Sequence, residues 1–232
     1  MPVRQWTSAF RHLLFPTYCV VCGSRLRDEE RGICLPCDLG MPRTHFHRQT
    51  GNPVEKAFWG KCPLVRGTSF FYYYRGDTFP RVLFHLKYHN RPDLGIVMGQ
   101  LMARELQPDG FFEGIDVLVP VPLHPRKQAA RGYNQSERLA RGISLITGIP
   151  VESSSLARVR YTETQTRKSM SARFDNLQQV FELRQPLLFE GKHVLLIDDV
   201  LTTGATLTGC ADCFASVPRV RLSVLSLAVA GI

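Results

Sequence analysis

Apolar positions along this chain follow two rhythms, one of helical period and one of short continuous runs. Trp6, Phe10, Leu13 and Leu14 share a helical face and the pattern stops at Pro16, so the spacing predicts a short amphipathic helix packed on the body. Little periodicity follows up to residue 60: a cysteine-rich stretch over 18–38 leads into a connection with Gly, Pro and His that reads as a linker. At Arg66 the pattern changes. Residues 68–74 are dense in aromatic, strand-favouring side chains, and 79–88 return to helical spacing through Leu83, Phe84 and Leu86. The chain then alternates through helix 93–106, strand 116–121, helix 134–146, a short strand at Pro150 and Val151, strand 193–197, helix 205–215 and strand 220–228. Strand, helix, strand at this spacing predicts an α/β domain on a parallel sheet. The expected division is 1–62 for the first helix, cysteine module and linker, and 63–232 for the main domain.

With 232 residues, 44% of them hydrophobic, 14 Phe and 7 Tyr, the chain has material for a sizeable core and a ligand pocket. Such figures exclude disorder and collagen-like structure. No apolar run approaches the roughly 18 to 20 residues that a membrane helix needs. The first fifteen residues hold neither a continuous hydrophobic stretch nor a small-residue cleavage site, so a cytoplasmic protein with no membrane span is expected. Lys and Arg number 29 against 20 Asp and Glu, a net charge of +9. That excess attracts polyanions, whether nucleic acid, phosphorylated metabolite or anionic membrane, or serves solubility alone.

Cys19, Cys22, Cys34 and Cys37 form two C-x-x-C knuckles separated by eleven residues. Each knuckle turns two thiolates towards one tetrahedral ion, and four sulfur ligands leave no open position, so a structural zinc is expected. Its binding contributes roughly 10 to 16 kcal/mol to folding a module too small for a core of its own. Disulfide hairpins are the competing reading, disfavoured by the reducing compartment. His45, His47 and Cys62 match no closed four-ligand pattern, and Cys210 and Cys213 lie one helical turn apart, where small apolar cysteines face the core.

The sharpest feature is the run from His193 to Leu207. Four apolar residues make a buried strand, Asp198 and Asp199 follow at its carboxyl end, and Thr202, Thr203, Gly204, Ala205 and Thr206 lead into a helix. Open α/β sheets bind ligands at that crevice. Helix-start N–H groups and threonine hydroxyls surround a phosphate, and Gly204 permits close approach of the backbone. Adjacent carboxylates cannot bind phosphate; they accept hydrogen bonds from vicinal ribose hydroxyls or face magnesium, which implies a phosphorylated sugar. No G-x-x-x-x-G-K loop is present, which disfavours nucleoside triphosphate hydrolysis. The segment resembles the phosphoribosyl pyrophosphate (PRPP) motif of type I phosphoribosyltransferases.

A second anion site is then expected at another strand end. The strand from Asp116 breaks at Pro120 and Pro122, and Arg126, Lys127 and Arg131 follow to neutralise a diphosphate, with Gly132 and the helix start near Asn134 beside them. A third stretch, 158–181, is polar and rich in Thr and Gln. It reads as a mobile lid or a surface excursion carrying Gln165, Arg167, Lys168 and Arg173 towards the leaving group. Lys87, Tyr88 and Arg91 line the same mouth or form a solvated helix end.

Taken in order, the cysteine knuckles, Leu86-Lys87-Tyr88, Pro120-Val-Pro-Leu-His-Pro with Arg131-Gly-Tyr-Asn-Gln, and Asp198-Asp-Val-Leu-Thr-Thr-Gly-Ala-Thr resemble the ComF family over nearly the whole chain. The resemblance implies a bacterial protein with a type I phosphoribosyltransferase-like domain preceded by a small zinc-ribbon-like module. It further implies a pocket for PRPP or a related phosphoribosyl ligand with magnesium, and a link to DNA uptake in natural transformation through single-stranded DNA and a DNA-uptake helicase. Many relatives carry a second cysteine pair before the aromatic strand, where this chain has His45, His47 and only Cys62. Three functions follow from these readings: pentosyl transfer from PRPP with Asp198 and Asp199 stabilising the cationic transition state, a DNA-associated module that kept the fold, and a PRPP sensor without turnover. A stacking role for the aromatic run Phe70 to Tyr74 belongs to the second, although its alternation is that of a buried strand.

Overall fold

Strand β5 (His193–Leu201) is apolar and fully buried from Val194 to Ile197, the signature of a strand covered on both faces. In the computed structural model, which describes residues 16–160 and 180–231, it lies inside a four-stranded parallel sheet. The other members are β1 (Arg66–Tyr72), β2 (Val117–Pro120) and β6 (Arg221–Val229), in the spatial order β1-β6-β5-β2. A parallel bridge from Leu118 to Val151 is all that forms of the strand expected at Pro150 and Val151. The helix expected before Pro16 lies outside the described residues.

Seven α-helices accompany the sheet among the described residues: α1 (Leu35–Leu39), α2 (Pro53–Lys56), α3 (Arg81–Tyr88), α4 (Pro92–Leu106), α5 (Pro125–Arg131), α6 (Gln135–Thr147) and α7 (Ala205–Asp212). Met98 and Met102 of α4, Leu139 and Ile143 of α6 and Leu86 of α3 bury one face together with Leu195, Ile197 and Leu225. Leu207 and Cys210 of α7, with Phe189 and Phe214, bury the other against Val194, Leu196 and Val224. After β2 the chain passes to the α6 face, and after β5 to the α7 face. The crevice between the carboxyl ends of these two neighbours is therefore the topological switch point of the sheet.

Three features depart from expectation. The run after Pro122 is helical: Pro125 occupies the first turn of α5, Arg-Lys-Gln-Ala-Ala-Arg are good helix formers, and Gly132 at φ 83 ends it. The two ends of the polar stretch pair as an antiparallel hairpin, β3 (Leu156–Arg158) with β4 (Phe181–Leu183), while Gln165, Arg167, Lys168 and Arg173 lie outside the described residues. Residues 39–60, read as a linker for want of periodicity, pack against β1. Phe46, Val54 and Phe58 are buried there, and the buried Asn52 amide donates to the carbonyls of Phe46, Gln49 and Gly67 at 3.1, 3.0 and 2.9 Å. One polar side chain does the work of an apolar stripe, which a search for periodicity cannot see. No helix among the described residues is long and apolar enough to cross a membrane.

Candidate functional site

The cysteine module brings its four sulfurs within 4.8 Å of one another. Two local turns do this: Gly23, at φ 75, donates its N–H to the Cys19 carbonyl at 2.9 Å, and Pro36 sits in the first turn of α1 so that Cys37 returns towards Cys34. Cys22 Sγ and Cys34 Sγ are 3.7 Å apart, and the Cys34 N–H points at Cys19 Sγ at 3.4 Å. Metal–sulfur bonds of about 2.3 Å in a tetrahedron set sulfurs about 3.8 Å apart, so the set fits a chelated ion of that size. Burial pushes the Cys34 and Cys37 thiols up, whereas hydrogen bonds from Ser24 lower Cys22 to about 6. A cation is what would hold all four as thiolates.

Among the described residues these cysteines are the single group of three or more metal-capable side chains. His47 Nε2 pairs with Asp109 at 2.8 Å, His45 Nδ1 faces Glu105 at 3.7 Å, and Cys62 packs against the α7 face. The second mixed site does not assemble.

Asp198 and Asp199 lie in the carboxyl-terminal half of β5, which extends beyond Ile197 because Asp198, Val200 and Leu201 keep register with Ser226, Ala228 and Val229. Asp198 Oδ1 accepts from the Ser136 hydroxyl at 3.2 Å and from the Asp199 N–H at 2.8 Å. Burial, then the charge of Asp199, push Asp198 up to about 7, and Lys87 and Ser136 oppose the rise. Asp199 Oδ2 pairs with Lys87 Nζ at 3.1 Å. Val200, Leu201 and the turn from Thr202 to Leu207 line a recess of about 30 Å³ beside Asp198, the share of one water molecule or a single oxyanion group. Gly204 caps α7 with φ 78, and the first turn of that helix leaves N–H groups without intrahelical partners. Thr202 and Thr203 are exposed; Ala205 and Thr206 are half-buried.

Across the switch point stand the cations. Lys127 and Arg131 are half-buried on α5 and Arg126 is exposed. Burial, then Arg158, Arg131 and Lys87, lower Lys127, and burial with Arg126, Arg158 and Lys127 lowers His124. Groups from α3, α5 and β3 thus share one positive field. Arg158 lies 5.4 Å over the Phe181 ring; burial lowers it, while Cys210 and Asp198 act in the opposite direction. Ser136 and Arg158 were not singled out from sequence. Ser136 is readable only as the second residue after the Asn134 cap, whose side chain accepts from the Ser136 N–H and donates to the Val121 carbonyl at 3.1 and 2.9 Å. The aromatic run offers no stacking platform at Phe70 and Phe71, which are 2% and 0% exposed.

An acidic strand end and a hydroxyl-rich helix entry at the switch point of a parallel sheet define a type I phosphoribosyltransferase-like fold, here preceded by a small four-cysteine module. No family model matches the chain. It is 34% identical over 200 residues to competence protein ComFC of Bacillus subtilis, covering 84% of this chain and 76% of that protein. It is 30% identical over 198 residues to the DNA utilization protein YhgH of Escherichia coli K12, covering 84% and 82%. The chain belongs to the ComF family. Among solved structures, glutamine PRPP amidotransferase of B. subtilis aligns at TM-score 0.38 and 23% identity, over 61% of this chain and 30% of that one.

Proposed function

We propose that the β5–β2 crevice binds PRPP or a related phosphoribosyl ligand. The observation that carries this reading is the Asp198–Asp199 pair standing between the hydroxyl-rich entry to α7 and a cluster of cations. The 5′-phosphate lies on Thr202, Thr203, Gly204, Ala205 and Thr206, the ribose hydroxyls donate to Asp198 and Asp199, and Arg126, Lys127 and Arg131 face the diphosphate. Magnesium travels with the diphosphate and neutralises its charge. The chemistry that follows is pentosyl transfer: as the anomeric carbon loses diphosphate it becomes cationic, the paired carboxylates stabilise that charge, the cations stabilise the departing anion, and an acceptor nucleophile forms the bond that replaces the one lost. Zinc is the ion best suited to four thiolates in a closed tetrahedron, and it organises a module over 1–62 that precedes a ligand-binding domain over 63–232.

The test is calorimetric titration of metal-loaded protein with PRPP and magnesium, beside an Asp198→Asn/Asp199→Asn double variant whose melting curve shows it folded. Saturable binding lost in the variant supports the pocket; a folded wild type that binds nothing refutes it.

A second reading is favoured by the names of the relatives, competence protein and DNA utilization protein, together with the net charge of +9. In it the chain serves DNA uptake through contacts with single-stranded DNA and a helicase. Affinity for single-stranded DNA that falls steeply with salt supports it, and absent or salt-insensitive binding counts against it.

A further inference from the structure

Lys87 lies in the last turn of α3, where helix carbonyls have no intrahelical partner. The carbonyl just before it, that of Leu86, is met by two side chains. The Tyr133 hydroxyl donates to it at 2.5 Å and the Gln135 Nε2 at 3.3 Å. Tyr133 comes from the turn joining α5 to α6 and Gln135 is the first residue of α6, and they are 4% and 1% exposed. One solvated donor suffices to cap a helix end. Here two buried polar groups are committed to one carbonyl, and the carboxyl end of α5, the helix that carries Lys127 and Arg131, is thereby fastened to the backbone beside Lys87.

The Lys87 ammonium reaches outward from that clamp. It lies 3.1 Å from Asp199 Oδ2, with the lysine side chain 28% and the aspartate side chain 15% exposed, so both retain access to a ligand. Its charge also opposes that of Lys127, after burial, Arg158 and Arg131. A lysine has three donors on a flexible stem, so one ammonium can serve a carboxylate and a phosphate oxygen together. Between the acidic pair and the α5 cations, Lys87 is the group placed to do so.

We propose that Lys87 contacts the diphosphate of the ligand while remaining paired with Asp199, and that Tyr133 and Gln135 are its positioning residues. This rests on the phosphoribosyl reading of the pocket and adds a specificity to it. Lys87 distinguishes a ribose phosphate that carries a diphosphate at the anomeric carbon from one that does not.

The experiment uses the full-length metal-loaded protein with magnesium, titrated calorimetrically with PRPP and separately with ribose 5-phosphate. In Lys87→Met, affinity for PRPP falls at least about tenfold, the scale of one charge-assisted hydrogen bond, and affinity for ribose 5-phosphate changes less than about threefold. Lys87→Arg keeps most of the preference for PRPP. Tyr133→Phe loses about threefold or more of that preference in the wild-type background and none in the Lys87→Met background, because it acts through Lys87. A role confined to packing lowers the melting temperature, or weakens both ligands alike, without moving the ratio.

Equal losses for the two ligands in Lys87→Met overturn the assignment of Lys87. Full additivity of Tyr133→Phe with Lys87→Met overturns the positioning role. A folded wild type that binds neither ligand refutes the pocket reading and this inference with it, whereas binding of both with an unmoved ratio refutes the inference alone.

Discussion

Gly99 on α4 and Gly142 on α6 face each other across the helix pair, and a Cβ on either would sit 2.2 Å from a backbone carbonyl oxygen, that of Leu139 or Ile96 respectively. The obstacle is backbone on both sides, so no rotamer relieves it. Close crossing of these helices lets α6 hold Ser136 and the Asn134 cap at the end of β2, and through them the geometry beside Asp198.

Gly99→Ala and Gly142→Ala are therefore expected to destabilise the fold by about 2 to 4 kcal/mol each, at or above the upper range of overpacking costs. The gain in helix propensity from Gly to Ala, about 1 kcal/mol, acts the other way and is too small to rescue them. Urea denaturation checks this. A loss below about 1 kcal/mol would show that the helices separate without penalty.

Arg43 ties the cysteine module to the main core. It donates to Asp38 Oδ1 of α1 at 2.5 Å and to Glu105 Oε2 of α4 at 2.6 Å, with its guanidinium 4.1 Å above Phe70. The side chain is 13% exposed, so its pairs are largely desolvated. Arg43→Ala leaves two carboxylates without their cation and is expected to cost about 3 kcal/mol. Arg43→Lys recovers only a minor part, since an ammonium cannot serve both carboxylates and the ring with one planar fork. Chemical denaturation of the two variants separates these contributions.

Loss of the metal should be felt beyond the module. Cys19, Cys34, Val21 and Ile33 belong to the same core as Leu94 and Phe71. Cys37→Ser is expected to remove one equivalent of zinc by elemental analysis and to lower Tm by at least about 10 °C, since about 3 to 5 kcal/mol, a fraction of what the metal contributes, already produces that shift in a chain of this length. Cys62→Ser, outside the cluster, keeps its zinc. Equal metal content in the two variants would dismiss the four-cysteine assignment.

How far the fold could be read in advance depended on the kind of signal. Strands β2, β5 and β6 and helices α4 and α6 follow from apolar runs and periodicity, because these elements are covered by the core and their composition reports it. The cysteine cluster and the acidic strand end are local patterns, complete within a few residues. Other parts depend on distant partners. Asn52 replaces an apolar stripe by bonding three carbonyls, Arg158 reaches the site through a hairpin whose strands are separated by 22 residues, and Tyr133 caps a helix 47 residues away. Nothing in the neighbouring sequence of such residues announces the contact, since the group that explains each one arrives only with the tertiary fold.

Asp198 gives the pocket a pH dependence with two opposite signs. Burial and then Asp199 raise it from the usual 3.8 to about 7. Between those values the folded protein holds a proton that the unfolded chain releases. The resulting stability is fully present below about pH 4 and is lost as pH rises through 7. Asp198→Asn, which cannot titrate, removes this slope, so the variant gains Tm relative to wild type on passing from pH 5 to pH 8. Ligand affinity runs the other way: ribose hydroxyls need the carboxylate as acceptor, so PRPP binding by the wild type weakens by about tenfold per pH unit below 7. Thermal melts and calorimetry over the same pH series measure the two slopes. A Tm difference between wild type and Asp198→Asn that stays constant from pH 5 to pH 8 would place the Asp198 titration outside this window and remove the basis for both.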